Sequence, residues 1–150
     1  MTHPDRPRPT PSLLAATATA LILSACSGAG EDVRVTLCKD MVRVQTGGSG
    51  GLNWTEAATE TRGYDGAAIT LRWSGSGSGG DGTAVCTYSY NAVEHNAMAL
   101  SDPLSSYSAS PSKMLLNGKT LSKAALAETI KQAMLKQGRS LIDSLKNAVN

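Results

Sequence analysis

The sequence predicts a small α+β domain, on three observations: apolar residues at helical spacing near its start, two-residue alternation through its middle, and a long amphipathic helix at its end. The boundaries are an export segment over residues 1–25, a tether over 26–30 and a single domain over 31–150. A chain of 150 residues, 41% hydrophobic and 17% charged, suits one globular unit rather than a disordered tail. Its core has to be built without Phe, from aliphatic residues with two Trp and four Tyr. So lean a core gains from a covalent staple.

Glu31 and Asp32 precede Val33, Leu37, Met41 and Val44 at helical spacing, with Arg43 near the end and Gly47-Gly48 beyond it. Acid at the start, base at the end and glycine past the stop fit an N-terminal helix, although Val33, Val35 and Leu37 also alternate as a strand would. Leu52 to Thr61 alternates weakly, through Leu52, Trp54, Glu56 and Ala58, and predicts a strand. Gly63-Tyr64-Asp65-Gly66 supplies an Asp-Gly turn, after which Ala67, Ile69, Leu71 and Trp73 alternate with Ala68, Thr70 and Arg72. The Ser- and Gly-rich run from 74 to 82 is a loop before a third strand, Thr83 to Tyr90, whose Ala84, Cys86, Tyr88 and Tyr90 share one side.

Residues 91–113 hold Asn91, Pro103, Pro111 and many serines, and read as connection with a helical turn over 92–100. Met114-Leu115-Leu116 and Lys119-Thr120-Leu121 flank Asn117-Gly118, which predicts a second, smaller hairpin on a type I′ turn. Ser122 then serves as N-cap of a long C-terminal amphipathic helix running to Ala148. Leu126, Ile130, Ala133, Met134, Leu141, Leu145 and Ala148 gather on one side of it; Glu128, Gln132, Lys136, Arg139, Asp143 and Lys146 fall on the other, and Gly138 is a place to bend.

The first 25 residues have the character of a targeting segment. Residues 1–12 are polar and proline-broken with Arg6 and Arg8, and Leu13 to Ala25 is apolar but too short to span a bilayer permanently. The segment ends in Leu23-Ser24-Ala25-Cys26, which resembles the lipobox of bacterial lipoproteins at all four positions. That resemblance implies cleavage before Cys26, a diacylglyceryl group on its thiol and a fatty acyl group such as palmitate on its new amino group. Two or three chains would make attachment to a membrane stable where one would not. An ordinary signal peptide with a chance cysteine is the alternative. The tether from Cys26 to Gly30 reaches at most about 17 Å, so the domain is expected close to the lipid surface. In Gram-negative lipoproteins a residue other than Asp after the cysteine, here Ser27, favours the outer membrane facing the periplasm.

With Cys26 assigned to lipid, Cys38 and Cys86 remain as an even pair in an exported, oxidising setting, and a disulfide between them is expected. A metal pair or redox dithiol is the alternative, but no C-x-x-C and no histidine cluster accompanies them. The bridge would tie the N-terminal helix to the small antiparallel sheet.

Several patterns suggest chemistry and are weaker than their structural readings. Gly118-Lys119-Thr120 ends like a phosphate-binding loop, but the glycine needed five positions earlier is Lys113, and a hairpin turn explains it. Ser76 to Ala84 shares Gly77, Gly79 and Asp81 with a calcium-binding nonapeptide but has no tandem copy. His95 is the one histidine after the cleavage point, and no G-x-S-x-G elbow accompanies it, so a solvated loop residue is expected. Glu56, Glu60 and Asp65 fit the polar face of a strand and its turn better than a glycosidase pair. Trp54 and Trp73 are expected in the core. Asn53-Trp54-Thr55 is a glycosylation sequon without weight in a bacterial lipoprotein.

The formal charge is +2, and Asp5, Arg6 and Arg8 lie before the cleavage point, which leaves about +1 on the mature side chains and no basic footprint for nucleic acid. The reading is a non-enzymatic envelope lipoprotein, with no cofactor and no metal, anchored through lipid on Cys26. Its role is structural or protein-interacting, with an envelope partner met through the C-terminal helix or a sheet edge. The alternative is a small-ligand or inhibitor module in which the Gly-rich loops and the Trp residues close over a target.

Overall fold

The computed structural model describes residues 30–47, 51–75, 80–91, 102 and 104–149. The lipobox with Cys26, His95 and the turn expected over 92–100 lie outside the described residues. Asp32 starts the first helix, α1 (Val33–Gln45), its carboxylate accepting from the Arg34 amide at 2.7 Å. At the far end Gly47 takes a φ of +80° and the Thr46 amide donates to Val42 O, closing the last turn. These two stops decide for helix over strand. The buried apolar face is Val35, Leu37, Cys38, Met41 and Val42: Leu37 and Met41 of the expected line lie in it, Val44 is half-buried beside it, and only Val33, 65% exposed, falls outside. Cys38 faces the sheet, and Val33, five residues earlier at about 100° per residue, points well away from it.

β1 (Leu52–Thr61), β2 (Ala67–Gly75), β3 (Gly82–Tyr88), β4 (Lys113–Leu116) and β5 (Lys119–Thr120) form one antiparallel sheet in chain order. Ala67, Ile69, Leu71 and Trp73 of β2 and Ala84, Cys86 and Tyr88 of β3 face inward and are buried, as the alternation predicts. A 3₁₀ turn, Gly63–Asp65, joins β1 to β2 through Gly66, whose φ is +105°. A Cβ there would lie 2.5 Å from the Tyr88 carbonyl oxygen, so only glycine fits. Pairing skips from Trp54 to Glu56, a bulge at Thr55 beyond which the side chains of β1 are exposed.

The second hairpin is part of the same sheet rather than a separate element. β4 pairs with β3 (Cys86↔Met114), and Asn117 binds the Thr83 amide through its side-chain oxygen and the Thr83 carbonyl through its own amide, each at 2.8 Å. β3 ends at Tyr88, two residues short of expectation, and Tyr90 instead makes an isolated bridge with Tyr107. Residues 104–112 thus run beside the end of β3 into β4. They are also stitched to α1: the Arg34 guanidinium, almost fully buried, donates to Tyr107 O (2.6 Å) and Ser108 O (3.2 Å), and the Tyr88 hydroxyl donates to Arg34 O (2.8 Å). Burial, with the nearby Asp32 charge, pushes the Tyr88 phenol well above its ordinary pKa.

Cys38 and Cys86 are bonded, with Cα atoms 6.2 Å apart, and tie α1 to the central strand. Closing that 48-residue separation is worth about 4 kcal/mol in the chain-entropy model. The last helix, α2 (Lys123–Val149), starts at Ser122, whose hydroxyl accepts from the Ala125 amide, and runs unbroken through Gly138. Both helices cover one face of the sheet, α1 over β2 and α2 against α1 and β4. Leu126, Thr129 and Ala133 are buried there, but the expected stripe does not stay buried along the whole helix. Met134, Leu135, Leu141, Ile142 and Leu145 are 45% to 67% exposed, Met134 and Leu135 because they lie off the Leu126–Ala133 line, and the last three because the α1 surface that α2 packs on ends at Val33, beside Leu141.

Candidate binding groove

α1 and α2 run antiparallel: Gln45 Nε2 donates to Thr129 Oγ1, and eight residues from Thr129 along α2, Gln137 Nε2 donates to Asp40 Oδ2 at 2.8 Å. Around the Asp40–Gln137 contact the two helices line a groove of about 660 Å³. Val33, Thr36, Asp40 and Arg43 recur on one edge of α1 at spacings of three and four, and Lys136, Gln137, Ser140 and Leu141 do the same on α2. Helical periodicity therefore builds both walls.

Asp40 is only 7% exposed and forms the floor. Its Oδ1 accepts from Arg43 Nη1 at 2.7 Å and its Oδ2 from Gln137, so both oxygens are used in holding the helices together. Arg43 is further fixed over the Trp54 ring, 5.5 Å from its centroid. The walls divide by chemistry: Val33 and Leu141 are apolar at one end, Arg43 and Lys136 are cationic further along. That combination suits a segment with an apolar side chain next to an acidic one. A crevice of about 450 Å³ lined by Thr55, Arg72, Trp73 and Asp81 is more open.

Of the residues singled out from sequence, Cys38 and Cys86 meet in the bridge. Glu56 and Glu60 do not form a pair of acids across a cleft: Glu56 bonds Arg72 and Glu60 bonds Arg62, each at 2.8 Å on the exposed face of β1. The Arg62 guanidinium holds the Glu60 carboxyl below the usual carboxylate range. Trp54 and Trp73 stack edge to face at 5.9 Å; Trp73, 3% exposed, belongs to the core and the half-buried Trp54 packs against it. Gly118-Lys119-Thr120 lies on a hairpin turn, with Asn117 at φ 49° and Gly118 at φ 77°. Among the described residues no three His, Cys, Asp or Glu side chains converge, and no helix is long and apolar enough to cross a membrane.

The groove itself was missed from sequence. Nothing local in the sequence signals that Asp40 and Gln137 face one another across 97 residues. Compared with family models, curated proteins and solved structures, the chain matches none. Its class is therefore defined by its own fold: a five-stranded antiparallel meander covered on one face by two antiparallel helices.

Proposed function

We propose that the chain is a lipid-anchored lipoprotein of the bacterial cell envelope that acts by binding, and that a segment of a partner protein lies in the α1–α2 groove. The observation that carries the binding reading is that groove, with its apolar end and its paired cations on a floor fixed by Asp40, Arg43 and Gln137. Anchoring is supported by Leu23-Ser24-Ala25-Cys26 behind the apolar run from Leu13, and by a buried disulfide of the kind that forms after export. In a Gram-negative cell Ser27 directs the expected address to the outer membrane, facing the periplasm.

A photoreactive residue at Ser140, with a second at the exposed Thr59 on β1 as control, tests the groove inside living cells. The expected result is one discrete protein adduct from Ser140, lost when Arg43→Glu and Lys136→Glu are added, and none from Thr59. No adduct at Ser140, or the same adducts at both positions, would refute it. A small ligand is the second reading, favoured by a groove volume within the range of such sites. It predicts instead a small bound mass in native mass spectrometry of the purified protein.

A further inference from the structure

The end of the domain at which the tether enters carries more than the tether. Because the helices are antiparallel, Leu141 lies beside Val33 at the start of α1, three residues from Gly30, and α2 continues past that point to Val149. At a rise of 1.5 Å per residue the continuation is about 12 Å long. The β1–β2 turn comes to the same end: Tyr88, which bonds Arg34 in the first turn of α1, lies beside Gly66, and Tyr64 packs edge-on against Tyr90 at 4.8 Å while staying 85% exposed.

Around α2, Met134, Leu135, Ile142 and Leu145 occupy about a third of the circumference, roughly 140° away from the Leu126–Ala133 line that packs on the domain, and Leu141 at their edge faces the groove. The charged residues between 134 and 149 are Lys136, Arg139 and Lys146 against Asp143 alone, and they flank this arc, with Arg139 and Lys146 one helical turn from Leu135 and Ile142. We infer that this apolar arc, together with the Tyr64 tip, rests in the headgroup layer of the membrane to which Cys26 is attached, giving the domain a fixed orientation on the surface. The inference rests on the lipoprotein reading, because lengths decide it. A tether of at most about 17 Å keeps a projection of about 12 Å on the same end at the lipid surface. An amphipathic helix face sinks about 5–10 Å into that layer, tyrosine suits its boundary, and anionic headgroups neutralise the net positive charge. A second copy would set like charge against like.

The test places an environment-sensitive fluorophore at Ile142→Cys, or at Glu128→Cys on the packed half as control, in the mature lipidated protein. Position 142 is exposed, so the substitution does not reach the core. In vesicles of phosphatidylethanolamine and phosphatidylglycerol the label at 142 should be blue-shifted and about fivefold less accessible to iodide than the label at 128. The mass of the N-terminal peptide from the same sample reports acylation. Equal quenching at the two positions with acyl chains on Cys26 overturns the inference and leaves the lipoprotein reading standing. Protection at 142 accompanied by 142–142 cross-linking between chains of the unlabelled Ile142→Cys protein assigns the arc to a second copy and overturns it as well. An unacylated Cys26 overturns the lipoprotein reading and removes the tether on which the inference stands.

Discussion

Both halves of α2 carry Leu and Ile, yet only the first is packed. Between Lys123 and Gln137, Leu126, Thr129 and Ala133 are buried against α1 and the sheet, and Gln137 is bonded to Asp40. From Gly138 to Ala148 every side chain is exposed, Leu141, Ile142 and Leu145 included. The difference lies in what stands opposite. α1 begins at Val33 and offers the distal half nothing to pack on, so an apolar stripe in sequence states that a helix is amphipathic without stating what covers it.

The sharpest way to erase the contrast is to loosen α1. Replacing both bridge cysteines (Cys38→Ala with Cys86→Ala) should cost about 4 kcal/mol in urea denaturation, and the packed half of α2 should then exchange its amides as freely as the distal half. Ala133→Asp puts a carboxylate where no solvent reaches and should cost about 3 kcal/mol by the same measurement. Tyr88→Phe removes the hydroxyl that anchors the first turn of α1, the point where packing ends, at about 1 kcal/mol. Burial raises the folded-state pKa of Tyr88 above the unfolded value of about 10. Stability tied to the neutral phenol is therefore complete below about pH 10 and declines as pH rises above it, and Tyr88→Phe should flatten that alkaline decline in denaturation curves. Leu145→Ser, on the distal half, should change stability by less than about 0.5 kcal/mol in the absence of a membrane. Leu141→Asp should likewise leave the fold intact in the same denaturation measurement, because Leu141 is 67% exposed.

Much of this architecture was legible because it is written in short-range patterns. Ala67 to Trp73 and Ala84 to Tyr88 alternate as buried strands must, Asp32 and Gly47 bracket α1, and Asn117-Gly118 marks a turn that needs two positive φ angles. What stayed hidden depends on contacts between distant segments. The docking of β4 on β3 comes from Asn117 meeting Thr83, and the buried Arg34 from carbonyls at Tyr107 and Ser108. The groove belongs to this second class. Its floor is an acid, a base and an amide, of which the acid and base lie a helical turn apart and the amide far along the chain.

Amide hydrogen exchange along α2 tests the division of the helix most directly, on a chain begun at Ser27 so that neither leader nor lipid is present. Protection should hold from about Leu126 to Gln137 and fall at Gly138, with amides beyond Leu141 exchanging at least about tenfold faster than those around Ala133. Uniform protection from Leu126 to Asn147 would contradict the account, because the distal face would then be covered by the protein itself and not be open to the membrane.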